Sequence, residues 1–183
     1  AIIISAIYWL FGFLRMGTTG LTAQAIGSND RLETSALLVR GILIGICAGL
    51  ILIIAQIPLF SGALALAPAS FEVESLAQEY LNIRVYSAPA AIAIFGIAGW
   101  LIAKERTRAV LVLMLLINTV NIVLDFLFVL KLGWGVEGVA LATLIAEWIG
   151  LLFGLWLARE GFKKGYWRNW GQIFDRARPI KMA

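Results

Sequence analysis

Hydrophobic positions run through this chain in long blocks, and the polar positions between them mark where each block stops. Apolar runs occupy about 2–25, 34–55, 80–103, 109–130 and 135–158. These runs reach the ~20 residues that an α-helix needs to cross a bilayer. None alternates apolar and polar residues over about ten positions, as the strands of a membrane barrel would. The pattern predicts an all-α, polytopic helical membrane protein with about five transmembrane helices.

The interruptions define the details. The first block is apolar to Phe13, then turns small and polar with Arg15, Gly17, Gly20 and Gln24. Gly17 and Gly20 are expected to let another helix approach closely. In the turn G-S-N-D-R-L-E, Asn29 or Asp30 is placed to cap the second helix, and Glu33 suits its positive end. Gly41, Gly45 and Gly49 recur every four residues and make a ridge for tight packing. Pro58 ends or kinks this helix, because it lacks the N–H that continuation requires. The stretch 59–70 then extends the helix or lies at the interface. The run S-F-E-V-E-S-L-A-Q-E from Ser70 reads as an acidic loop. Pro89 falls inside the third block, where it predicts a kink and a candidate hinge. K-E-R-T-R from Lys104 and G-W-G from Gly133 are short turns, the second folding the last two helices back on each other. Ala146, Gly150 and Gly154 form a second small-residue ridge.

Composition agrees with a membrane environment. Of 183 residues, 61% are hydrophobic and only 14% charged, against about 45–50% and 25% in soluble domains. The net charge of +4 comes from residues in turns and in the tail, so it is not a nucleic-acid signature. Arg31, the Lys104–Arg108 turn and the tail basics fall at alternate helix ends, which the positive-inside rule makes cytoplasmic. The acidic stretch after Ser70 and the G-W-G turn fall on the other side. The tail over 159–183 is thus cytoplasmic in a multi-pass protein of the inner or plasma membrane. Its Trp167 and Trp170 suit the lipid headgroup region. Cys47 is alone and reads as a packing residue. Histidine is absent, which excludes His-based catalysis or metal ligation, and every Lys lies near a helix end or in the tail. An intramembrane enzyme is therefore not expected. The chain begins within an apolar run and is read as a piece of a larger protein, without a signal peptide. A cytoplasmic N-terminus would imply one further helix before Ala1.

Against this apolar background, polar residues at depth carry the chemistry. Asn118, Asn121 and Asp125 stand at i, i+3 and i+7 on one face of the fourth helix. Thr143 and Glu147 stand one turn apart on the fifth. A carboxylate within a bilayer costs roughly 2.5–3.5 kcal/mol on insertion scales, so it persists by facing protein or a wet cavity. Asp125 is read as a cation or proton site, against the alternative of a silent, hydrogen-bonded carboxylic acid. Asn118 alone fits interhelical bonding better than function. Arg15 either snorkels to the interface or pairs with a carboxylate, for which Glu147 is the candidate.

The series R-M-G-T-T-G-L-T-A-Q-A-I-G, E-Y-L-N-I-R-V-Y-S-A-P, L-I-N-T-V-N-I-V-L-D and G-W-G-V-E-G-V-A-L-A-T resembles the multidrug and toxic compound extrusion (MATE) family. The likeness is to its DNA-damage-inducible F (DinF) subfamily, and it covers nearly the whole chain. It implies twelve helices in two six-helix lobes. This chain would supply helices two to six of the first lobe over 1–160. Residues 161–183 would begin the cytoplasmic link to a missing second lobe. It further implies a secondary antiporter that exports cationic or amphipathic compounds in exchange for H⁺ or Na⁺, with no cofactor. Asn121, Asp125 and Thr143 match the family's cation site, whose remaining Asp lies on a first helix this chain lacks. Asp125 would alternate between a protonated or ion-bound form and one open to substrate, since desolvation favours the uncharged carboxyl. Arg15, Glu147 and Asn118 are candidates to line the cavity, and Pro89 to bend. The expected partners are membrane lipid, a small cationic substrate, and the missing first helix and second lobe. A flippase for lipid-linked precursors from the related superfamily is the alternative transporter, though acidic and amide groups suit cationic cargo better. A non-transporting membrane scaffold is the remaining alternative.

Overall fold

A computed structural model describes residues 8–66 and 70–162, and the expectations for the basic tail lie outside them. The described residues are helical throughout, joined by short turns. The helices are α1 (Gly12–Gly27), α2 (Arg31–Ile54), α3 (Gln56–Leu66), α4 (Phe71–Arg84), α5 (Ala88–Ala103), α6 (Thr107–Asp125) and α7 (Gly135–Leu157). A 3₁₀ turn, Val85–Ser87, joins α4 to α5, and a π-helical segment, Phe126–Lys131, extends α6. Four stretches are long and apolar enough to cross a membrane: Arg31–Ile54, Phe71–Ala103, Thr107–Lys131 and Gly135–Leu157. The fifth expected span is seen from residue 8 onward, ending in α1.

Local chemistry explains the boundaries. Asn29, at φ +57°, turns the chain sharply, and the Asp30 carboxylate accepts the Glu33 N–H at 2.9 Å to cap α2. Such a cap contributes about 1 kcal/mol. Pro58 cannot donate to the carbonyl four residues back, and α2 accordingly ends at Ile54, with α3 beginning at Gln56. The acidic stretch after Ser70 is helix rather than loop: Ser70 is extended, and Glu72 and Glu74 occupy the first turn of α4. Acidic side chains there complement the partial positive charge of a helix start, a propensity that the lack of apolar periodicity hid.

α5 is the hub. It packs on α1, α2 and α7, and Ala90, Ala93, Ile97, Trp100 and Leu101 are fully buried. The glycine ridge of α2 makes this possible. Gly41 faces Gly96, Gly45 faces Ala93 and Gly49 faces Pro89, so the two helices run antiparallel with backbones in contact. In the second ridge, Gly150 meets Ile117 and Gly154 meets Ile97 and Leu113. Among the described residues, nothing lies within 4 Å of where the Cβ atoms of Gly17 and Gly20 would be. The close approach to α1 is made instead by Gly99, against the Arg15 carbonyl and Thr18.

At one end of the bundle, Arg31, Lys104, Glu105 and Glu160 line a common recess. The basic turns therefore lie on the same side, as the charge pattern requires. Arg106 donates to the Leu157 carbonyl at 2.9 Å and lies 3.8 Å from Glu160, tying the end of α7 to the α5–α6 turn. Gly133 and Gly135, both at positive φ (69° and 57°), build the opposite turn, where Phe128 and Trp134 stack at 5.0 Å.

Candidate functional site

The α6–α7 hairpin sets two of the expected site residues against each other. Asn121 donates from Nδ2 to Thr143 Oγ1 at 3.0 Å, across 22 residues of sequence. Thr143 donates in turn to the Val139 carbonyl at 2.9 Å, its own helix backbone. Its hydroxyl has two lone pairs, so one remains after it accepts from Asn121. The amide of Asn121 uses one of its two N–H donors on this contact and keeps a carbonyl oxygen that can accept.

Asp125 follows Asn121 by one turn. Its Oδ1 is buried and has no hydrogen-bond partner among the described residues. A buried polar atom left so is costly, and a carboxylate oxygen more than most. The residue stands where α6 gives way to the π-helical segment, a distortion found often at functional positions. Carboxylate, amide and hydroxyl oxygens are the donors that hard cations prefer. Asn118 is not drawn in: it is exposed, and its amide donates to the Met114 carbonyl at 2.8 Å.

A second polar cluster lies one turn further along α7. Glu147 is gripped by Arg84, with Nη1–Oε2 at 2.8 Å and Nη2–Oε1 at 3.1 Å. The side chains are 8% and 14% exposed, so this is a buried, two-pronged ion pair. The expected partner, Arg15, is exposed on α1, and the Arg15–Glu147 pairing is not formed. The reason is placement: α4 packs along α7 and delivers Arg84 to Glu147. Arg84 also donates to Ser87 Oγ, while the Tyr8 ring lies 5.7 Å from its guanidinium.

Pro89 shapes this cluster. It has no N–H for the Val85 carbonyl, which is satisfied instead by Ala88 in the 3₁₀ turn. That shift frees the Arg84 carbonyl from its usual i+4 partner. Ser87 Oγ takes it at 2.7 Å and the Tyr8 hydroxyl approaches at 3.4 Å. Arg84 was the residue that sequence reasoning passed over, although a charge inside the apolar run to Ala103 was a signal equal to Arg15.

The chain as a whole is similar to known proteins. The chain matches the MatE family over residues 2–127. It is 40% identical to the DNA damage-inducible protein F of Escherichia coli K12 over 87% of its length, which is 35% of that protein. It is 31% identical to a probable multidrug resistance protein NorM of Thermotoga maritima over 74% of its length, or 30% of that relative. The chain thus spans about a third of the relatives it matches. Among solved structures, an inward-facing multidrug resistance MATE family transporter superposes with TM-score 0.80 at 27% identity, covering 94% of this chain and 39% of that one. A structure of a multidrug resistance MATE family transporter in an outward-facing conformation gives TM-score 0.75 at 25% identity, covering 86% of this chain and 36% of that one.

Proposed function

The chain belongs to the MatE family, whose members are transporters and not enzymes, and from that premise we propose that it forms most of the first lobe of a cation-coupled efflux antiporter. Residues 1–160 are the lobe, and 161–183 begin the link to a second lobe. The exported compounds are small, cationic or amphipathic, and the coupling ion is H⁺ or Na⁺. The basic helix ends and the tail face the cytoplasm of a cell whose inner or plasma membrane holds the protein.

The observation that carries this reading is the buried Oδ1 of Asp125, without a hydrogen-bond partner among the described residues and one turn from the Asn121–Thr143 contact. In the proposed cycle Asp125 takes up the coupling cation or a proton, and Asn121 and Thr143 contribute neutral oxygens. Neutralised, the carboxylate no longer attracts cationic cargo, which leaves. Loss of the ion on the other side restores the charge that recruits the next molecule. Helix bending at the 3₁₀ turn before Pro89 supplies the change of access.

The test is Asp125→Asn in the full-length transporter, assayed by efflux of a cationic dye from proteoliposomes under Na⁺ or pH gradients. The substitution keeps shape and removes the titrating charge. Coupled efflux is expected to vanish while membrane insertion is retained. Efflux at the wild-type rate, with unchanged dependence on the ion gradient, would falsify the assignment.

A further inference from the structure

The buried ion pair Arg84–Glu147 stands outside the Asn121, Asp125 and Thr143 set yet shares a helix with it. Glu147 follows Thr143 by four residues, so both side chains project from one face of α7. Glu147 lies about 18 Å along α7 from Gly135, and Arg84 about 20 Å along α4 from Phe71, at 1.5 Å per residue. Glu147 is thus near the middle of a 23-residue span, and Arg84, bonded to it, shares that depth within a hydrocarbon core of about 30 Å. We propose that Arg84 is a positioning residue: through its two-pronged grip on Glu147 it fixes the rotation of α7 and so holds Thr143 against Asn121, beside Asp125. This inference rests on the reading of those three residues as the coupling site.

The geometry supports control of rotation beyond simple adhesion. A guanidinium fork meets a carboxylate in one plane, with both bonds made only over a narrow range of orientations. The two distances, 2.8 and 3.1 Å, show both prongs engaged. Arg84 is itself anchored, by its bond to Ser87 and by the Tyr8 ring 5.7 Å away. Its side chain is therefore held at its own turn and does not swing freely. Adhesion between these segments has a separate source, since Trp148 Nε1 donates to the Tyr86 carbonyl at 3.2 Å. On α7 the lever is short. A rotation of about 20° moves an oxygen about 6 Å from the helix axis by about 2 Å. That displacement breaks the 3.0 Å contact between Asn121 and Thr143.

The test uses the full-length transporter in proteoliposomes, with efflux of ethidium driven in turn by Na⁺ and by pH gradients. Removing one charge alone strands the other and endangers folding. The decisive variant is therefore the double substitution Arg84→Met with Glu147→Leu, which leaves no unpaired charge. It is expected to insert and to keep its maximal rate. The concentration of coupling cation for half-maximal efflux should rise about fivefold, the factor that one net hydrogen bond represents. Arg84→Lys keeps both charges and loses the fork, and it should give a smaller shift in the same direction. A folded double variant with the wild-type midpoint overturns the proposal. Should the double variant fail to insert, Arg84→Lys decides: a raised midpoint at full maximal rate supports the proposal, and an unchanged midpoint overturns it. Asp125→Asn is run beside these. If that variant still couples efflux to the gradient, the site reading itself has failed, which is distinguishable from an Arg84 effect.

Discussion

Gly45→Ala adds one methyl group at the place where two backbones meet. The new Cβ would lie 2.5 Å from the Cα and N of Ala93 and 2.9 Å from the Ile92 carbonyl carbon. It falls about 0.9 Å short of the 3.4 Å at which ordinary contact begins. None of these atoms is the end of a flexible side chain, so no rotamer change relieves the clash. α2 must move away from α5, loosening Gly41 on Gly96 and Gly49 on Pro89 as it goes. Overpacking costs typically 1–3 kcal/mol, and backbone against backbone places this case near the upper end. Helix propensity opposes the loss by less than about 1 kcal/mol, because Ala is the better helix former. The net expectation is about 2 kcal/mol of destabilisation, read as a fall of several degrees in thermal unfolding of the full-length protein in detergent. Gly62→Ala is the control: it lies in α3 with nothing within 4 Å of the added carbon, so only the propensity gain applies. Equal midpoints for Gly45→Ala and Gly62→Ala would refute the account of α2–α5 packing.

Asp30→Ala removes the cap on α2 and is expected to cost about 1 kcal/mol, measured as a lower unfolding midpoint; Asp30→Asn, a comparable cap, should recover most of it. Glu147→Leu alone leaves Arg84 buried and unpaired, and a loss of about 3–5 kcal/mol is expected; unaltered expression and stability in detergent would argue against the pair. Cysteines placed at Ser75 and Thr107, both exposed, should react with impermeant reagents from opposite sides of the membrane, and labelling from one side would contradict the topology.

Much of the architecture was legible because membrane helices announce themselves in composition. The apolar runs located the spans, and Gly41, Gly45 and Gly49 announced close packing that the structure bears out against α5. Asn121 and Thr143, which the resemblance assigned to one site, are in hydrogen-bond contact. Other features depended on partners far away in the chain. Gly17 and Gly20 carried the same small-residue signal as the α2 ridge, yet face open space among the described residues. Composition gives a glycine's size and leaves its direction unstated. Glu147 stood as the candidate carboxylate for Arg15, but it pairs with Arg84, because it is α4 that lies alongside α7. The start of α4 was missed because charged residues favoured by a helix terminus resemble those of a loop.

The glycine ridge also imposes a schedule on synthesis. Gly41, Gly45 and Gly49 find their partners at Gly96, Ala93 and Pro89, some forty to fifty-five residues later in translation. At about 5–20 residues per second, α2 spends several seconds in the bilayer before α5 has emerged. A lone helix tolerates the delay, because its backbone groups are already bonded within it. During that interval its small-residue stripe faces lipid, or whatever other membrane helix is nearby. The α6–α7 hairpin has no such interval, since its halves are adjacent in sequence. Quality control at the insertion machinery would therefore see the two halves of this chain differently: the later part completes itself on arrival, while the earlier part stays open to wrong partners until α5 closes it.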